Sequence, residues 1–210
     1  MISAASHVDR IACIKIVLDH VEPAVWRRVE VPLTTSLRGL HEVIQAVMLF
    51  ENYHLFDFTI EIDGQSRRYG IPDPDGWIKL SDAKNTKLGP LTDRGLKRFA
   101  YTYDFGDNWE HTLTIEAIGE ADPGLEYPRF VDGARRAPPE DVGGIPGFEE
   151  FVEAMAKPRH PERKRLIEWY GRVFDPENID LPTVKANIAK LARRRAIGKA
   201  AFAKSRPSDR

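Results

Sequence analysis

Short runs in which apolar and polar residues alternate, separated by turn residues, constrain this chain more than any other feature. Ile14, Ile16 and Leu18 fall on one side of an extended segment and Lys15 and Asp19 on the other, the period-two pattern of a half-buried strand. After a connection at Glu22-Pro23, Val25, Arg27, Val29 and Val31 alternate with Trp26, Arg28 and Glu30. Phe56, Phe58, Ile60 and Ile62 repeat the pattern, and Asp63-Gly64 is a two-residue hairpin signal leading into residues 66–69. A further hairpin joins residues 99–105 to 109–115 through Gly106-Asp107-Asn108. These runs predict an antiparallel or mixed sheet of about six strands.

One long helix is expected after the second strand. Leu37, Leu40, Ile44, Val47 and Met48 fall within an arc of about 100°, the width of a core-facing stripe. Thr34, Thr35 or Ser36 can cap it. His41 and Gln45, four residues apart, share its polar margin, which faces water or a cleft wall. Residues 72–94 read as loop, with turn signals at 73–76 and at Gly89-Pro90. Residues 119–147 hold five prolines and six glycines and read as a long ordered loop. Helices are expected near 148–156, 161–173 and 181–195, with Asp180 capping the last. Strands first and a C-terminal helical segment last predict an α+β fold, not a doubly wound sheet.

Charge divides the chain. Its 31 Lys+Arg nearly cancel 32 Asp+Glu. From residue 193 onward, however, seven basic residues face one acidic residue. The expected organisation is a single acidic α+β domain over residues 8–192 and a basic tail over 193–210. Arg193, Arg194, Arg195, Lys199, Lys204 and Arg206 are candidates for salt-sensitive nucleic-acid contact, or form a solvated terminus. Cys13 is the single cysteine, so no disulfide or cysteine-rich zinc site can form within the chain. It lies in an apolar strand and is expected to be buried and inert. No run approaches the roughly 20 apolar residues of a membrane span, and residues 1–9 lack the pattern of a secretion signal. The expectation is a cytoplasmic protein.

The densest polar cluster is the hairpin segment 103–111, containing Asp104, Asp107 and His111. Carboxylates and imidazole in one hairpin can converge on a divalent metal or act as an acid–base pair. His41 and His54 could complete such a site. His111 nevertheless alternates in phase with Trp109, Leu113 and Ile115, so a hydrogen-bonded core histidine is the competing reading. The glycines at 143–147 are a poor phosphate cradle, because Glu149 and Glu150 open the following helix. Glu140 and Asp141 would join Asp104 and Asp107 in one acidic cleft if their loop folds over the hairpin. Arg27 and Arg28, with Arg135 and Arg136, are expected to form structural ion pairs; Arg27 in particular shares the phase of Val25 and Val29 and needs a carboxylate partner.

Several segments, in order, resemble the plasmid pRiA4b ORF-3-like family: residues 23–28 (PAVWRR), 40–45 (LHEVIQ), His54-Leu55, 103–111 (YDFGDNWEH), 138–144 (PPEDVGG) and 174–176 (FDP). The resemblance runs from about residue 10 to residue 191 and leaves the basic tail outside. Many members carry cysteine just before the Pro-Pro-Glu-Asp run, where this chain has Ala137. The resemblance implies an α+β domain, an association with insertion elements and no settled activity. A resolvase label borne by some relatives finds no support in the residues. His41 and His111 lack the His-x-x-Arg of tyrosine recombinases, and Ser3 and Ser6 precede the first strand. Two functions are carried forward. The first is a non-catalytic binding or accessory domain with a polar cleft bounded by His41, Gln45, His54, Asp104, Asp107, His111, Glu140 and Asp141, its tail a candidate for nucleic acid. The second is a metal-dependent hydrolase or nuclease using the same side chains around Mg²⁺, Mn²⁺ or Zn²⁺.

Overall fold

The structure, a computed structural model, describes residues 10–73, 75 and 79–205. The N-terminal stretch, part of the 73–76 turn and Arg206 lie outside the described residues. The chain has an α+β fold built on one mixed sheet. β1 (Arg10–Leu18) and β2 (Trp26–Pro32) form the first hairpin and are followed by α1 (Leu37–Met48). β3 (Phe56–Ile62) and β4 (Gln65–Gly70) form the second, and β5 (Ser81–Asp82) and α2 (Leu88–Asp93) come next. β6 (Arg98–Tyr103) and β7 (Trp109–Glu120) form the third hairpin, and β8 (Arg129–Ala134) closes the strand series. The helices α3 (Gly144–Ala156), α4 (Arg163–Tyr170) and α5 (Leu181–Ser205) end the chain. The strand order is β5-β4-β3-β6-β7-β1-β2-β8, and the β4–β5 pair alone among the described strands is parallel.

The sheet therefore has eight strands where the alternation indicates six. β5 is only two residues long, too short to show a period. β8 (RFVDGA) sets Phe130 and Val131 side by side, and its Asp-Gly pair reads as a turn. α2 lies in the segment expected to be loop, because Gly89-Pro90 inside it reads as turn punctuation. Likewise the 119–147 segment holds β8 and the first turn of α3 rather than loop alone.

One sheet face carries the core. Ile14, Ile16, Leu18, Val29 and Val31 are buried there with Leu40, Ile44 and Val47 of α1. Ser36 caps α1, its Oγ accepting the Gly39 N–H at 3.1 Å. α5 packs on α1 and β8 through Val184, Ile188, Leu191 and Ala192. It does not stop near Arg195 but continues through the basic stretch to Ser205. Arg194 pairs with Glu42 of α1, and Arg195 donates to Thr34.

The opposite sheet face is polar. Trp26 lies between Lys15 and Arg28, each 5.1 Å from its ring centroid, and Arg28 pairs with Glu116 at 2.6 Å. Cys13, expected in the core, is half-buried on this face with its Sγ 3.8 Å from Glu116. Burial, with the Glu116 and Glu30 charges, pushes its thiol pKa up, which keeps it a poor nucleophile.

Arg27 departs from expectation as well. Its side chain is fully buried on the core face and donates to three carbonyls, Val47 and Trp26 at 2.8 Å and Ala134 at 2.9 Å. Among the described residues no carboxylate pairs with it. The Val47 carbonyl belongs to the last turn of α1, where helix carbonyls lack intrahelical partners and the dipole favours a cation. Gly133, opposite Arg27 in the β2–β8 register, leaves room for it: a Cβ there would lie 2.8 Å from the Trp26 carbonyl and 3.0 Å from Arg27 Cδ.

Candidate metal centre

Three connections meet at one end of the sheet: the residues after α1, the β6–β7 turn, and the loop before α3. The turn places Asp104 immediately after β6 with its backbone in the left-handed region (φ 53). That conformation suits a short polar side chain able to bond its own backbone. Here Asp104 Oδ1 accepts the Gly106 N–H at 2.9 Å. The third connection is tied to the same turn. Asp107 Oδ2 accepts the Gly143 N–H at 3.2 Å, and Gly144 (φ 67) packs so tightly that a Cβ would lie 2.9 Å from the Asp107 carbonyl. A side chain at Gly144 would have to move the loop, and one at Gly143 (φ 95) would strain the backbone.

This tether brings Glu140 and Asp141 over His54. Glu140 Oε1 accepts the Glu51 N–H at 2.6 Å and the Tyr103 hydroxyl at 2.9 Å. Asp141, also left-handed (φ 55), accepts the Tyr53 hydroxyl on Oδ2 at 3.1 Å. Each of the three carboxylates thus has one oxygen held by a hydrogen bond and the other turned inward. The inward atoms surround one imidazole nitrogen: His54 Nε2 lies 3.2 Å from Asp141 Oδ1, 3.5 Å from Asp104 Oδ2 and 3.8 Å from Glu140 Oε2. His54 Nε2 and Glu140 Oε2 are both buried and neither makes a hydrogen bond.

The electrostatics follow from burial. Glu140 is 9 % exposed, and loss of water raises its pKa against the lowering effect of its Glu51 and Tyr103 bonds. Burial and the same carboxylate push the Tyr103 phenol up, so it remains a donor. Tyr53 is pushed up to about 12, by desolvation first and then by Asp141.

His54, Asp104 and Glu140 each offer one donor atom, and these atoms lie within 4.8 Å of one another. A tetrahedral ion with metal–ligand bonds of about 2.05 Å has donor–donor edges of about 3.3 Å. The distances from His54 Nε2 to Asp104 and Glu140, 3.5 and 3.8 Å, lie slightly above that edge, so a small inward shift of these side chains closes the set. One imidazole with carboxylates is a donor set for Zn²⁺ or Mn²⁺ more than for Mg²⁺ or Ca²⁺, which take oxygen-only shells with more ligands. Asp141, its side chain 61 % exposed, stands at the open side of the ring.

The remaining expected cleft residues lie elsewhere. His41 is buried beneath the ring, stacked on Phe56 at 3.6 Å, with Nδ1 2.8 Å from the Tyr101 hydroxyl and Nε2 2.6 Å from Asn52 Oδ1. Gln45 donates to the same hydroxyl at 3.1 Å. His111 is wholly buried, its Nδ1 3.0 Å from the Trp109 carbonyl, as a core histidine. Asp107 serves as the loop tether. Arg135 pairs with Glu177 and Arg136 with Asp180. Sequence reasoning missed Tyr103, Tyr53 and the Glu51 N–H, which aim the carboxylates. Tyr103 stands in the polar hairpin segment 103–111 but is not among the candidates named from it, and no local signal marks the other two.

A family model described as plasmid pRiA4b ORF-3-like protein matches residues 10–183. The uncharacterised protein y4hQ of Sinorhizobium fredii (strain NBRC 101917 / NGR234) is 40% identical over 185 residues, 88% of this chain and 90% of that protein. Among solved structures, the crystal structure of MM3350 from Methanosarcina mazei Go1, a protein of unknown function, superposes with a TM-score of 0.74 at 36% identity. It covers 80% of this chain and 93% of its own. The ring of donors falls inside the family match, and the basic length of α5 lies beyond it. No helix of the described residues is long and apolar enough to cross a membrane.

Proposed function

This chain belongs to the plasmid pRiA4b ORF-3-like family, and we propose that it is a binding domain whose polar cleft takes a divalent transition-metal ion. His54, Asp104 and Glu140 are the ligands, and Asp141 stands beside the open position. The observation that carries this reading is the pair of buried atoms without hydrogen bonds, His54 Nε2 and Glu140 Oε2, aimed at the same point. An unsatisfied buried polar atom costs about 1–3 kcal/mol, and a cation bound between them removes that cost.

Calorimetric titration of metal-stripped protein should show one Zn²⁺ or Mn²⁺ per chain and far weaker uptake of Mg²⁺ and Ca²⁺. Glu140→Gln removes a ligand charge, and Tyr103→Phe releases the carboxylate from its aiming bond. Loss of such an outer bond typically weakens metal affinity by about 10–100-fold, and the ligand variant should fall below that. Uptake unchanged in Glu140→Gln, or absent from the native protein, rejects the reading.

A second reading, contact of α5 with nucleic acid, rests on a separate observation. From Leu181 to Ser205 the helix carries seven Lys and Arg and no Asp or Glu, and Ile197 and Phe202 are 71 % and 63 % exposed among them. A cationic helix of this kind binds phosphates by releasing counterions. Fluorescence anisotropy with a labelled 20-mer should give a log Kd that rises linearly with log salt. Arg193→Glu with Lys204→Glu should lower that slope by about 2, near 0.9 per lost phosphate contact. Val184 and Ile188 stay in place in this variant, so the fold is retained. Binding to anionic vesicles with none to DNA or RNA counts against it.

A further inference from the structure

We infer that the ion in this ring activates water against the acyl bond of a small, neutral or cationic ester or amide, an inference that rests on the metal reading above. Three features support it. The first is the shape of the donor set. Glu140 and Asp104 are buried and His54 is mostly so, whereas Asp141 is largely in solvent. Three protein ligands with one open position is the arrangement of catalytic sites; structural sites are closed by four.

The second feature is a place for a substrate on that open side. Asp141 also lines a cavity of about 190 Å³ between α3 and α4, walled by Val142, Phe151, Leu166 and Trp169. Trp169 is 45 % exposed at its mouth. The volume suits a short acyl or small aromatic group, set against Val142, Phe151, Leu166 and Trp169 with Glu150 and Arg165 beside it.

The third is the sign of the local field. Asp104, Glu140, Asp141, Asp107 and Glu51 cluster here, and Glu150 stands on the cavity rim. The nearest rim cation, Arg165, is already paired with Glu162 at 2.5 Å. Arg136 and Arg172 share a second cavity with Glu140, but the acidic groups outnumber the cations on the Asp141 side, which favours a neutral carbonyl over a phosphate ester.

The reaction balances with water alone. The ion polarises a bound water, and its proton passes to Asp141 Oδ1. The water oxygen bonds to the carbonyl carbon, the bond from that carbon to the leaving oxygen or nitrogen breaks, and the leaving group takes the proton back from Asp141. The products are a carboxylic acid and an alcohol or amine, and nothing is oxidised or reduced.

The test uses the full chain loaded with Zn²⁺ or Mn²⁺ and three probes: p-nitrophenyl acetate, p-nitrophenyl butyrate and bis(p-nitrophenyl) phosphate. The expected result is ester turnover above that of free metal at equal concentration, with the enhancement over free metal at least about tenfold smaller for the phosphate diester. Asp141→Asn should lower kcat by about 100-fold or more at saturating metal, a larger loss than any change it makes in metal affinity. Trp169→Ala should raise KM for the butyrate ester with little change in kcat, the sign of lost uniform binding. Metal uptake without turnover above free metal overturns this inference and leaves the metal reading standing. Absence of uptake overturns both. A larger enhancement over free metal for the phosphate diester than for the esters overturns the substrate class.

Discussion

Arg27→Met should lower the unfolding free energy by about 3 kcal/mol or more, the largest effect expected of a single substitution outside the apolar core. The guanidinium supplies donors to the Val47, Trp26 and Ala134 carbonyls, which join the end of α1 to both strands of the β2–β8 pair. Removing it orphans one buried acceptor, at roughly 1–3 kcal/mol, and two part-buried ones that water can reach more easily. Part of that loss is offset, because the native state buries a cation without a carboxylate and leaves Arg27 Nη2 unpartnered. Burial and the Arg136 charge lower the guanidinium pKa only to about 10, so it is charged at neutral pH. Arg27→Lys keeps a charge but not the fork geometry, and should be intermediate. Urea denaturation measures both, and a loss under about 1 kcal/mol for the methionine variant would falsify the bridging role.

The second large effect is loss of stability in mild acid. His41 and His111 are both held down to about 4, chiefly by burial. Tyr101 explains why His41 must stay neutral. The phenol is buried and its pKa is raised well above the ordinary value, so it keeps its proton. Gln45 donates to its oxygen, so the O–H donates to His41 Nδ1, which must be bare. The ring N–H at Nε2 then donates to Asn52. Arg38 disfavours the charged form further, and Arg27 does the same at His111, which Phe50 and Tyr101 enclose.

The unfolded chain takes up these protons near pH 6.5 and the folded chain only near 4. Between those values acid therefore favours unfolding, and stability rises with pH until both states are neutral. Each histidine contributes up to about 3 kcal/mol to the fall. Asp57 and Glu140 act in the opposite direction, since burial raises their folded pKa values. Denaturation midpoints at pH 7.5, 5.5 and 4.5 should decline steadily, and His111→Gln should decline less steeply. A flat profile across that range would mean the imidazoles protonate inside the fold.

The sheet was largely legible because its central strands are half-buried and alternate cleanly. Where burial no longer alternates, the signal fails. β8 lies at the sheet edge with Phe130 and Val131 its only large apolar residues, and two-residue β5 has no period. The site was legible by residue type but not by grouping. His54, Asp104, Glu140 and Asp141 all stood out as polar residues in turn-rich segments, yet their convergence depends on the Asp107–Gly143 tether, a contact between residues 36 apart. His41 misled because a helix margin can face a cleft or a buried phenol, and periodicity does not distinguish them. Arg27 misled for a related reason: a buried arginine needs acceptors, and helix-end carbonyls serve as well as carboxylates.

The position of β1 has a consequence for how the chain is made. It is made before the other strands of the sheet, yet in the finished sheet it lies between β2 and β7. Until residue 120 has been synthesised, the β1–β2 hairpin has an open edge and an uncovered apolar face, and unpaired edges of this kind invite mispairing. The segments carrying His54 and Asp104 are made before the one carrying Glu140. If the proposed ion is bound through all three, uptake would require a chain that has grown past residue 140, and would timestamp the late stage of assembly.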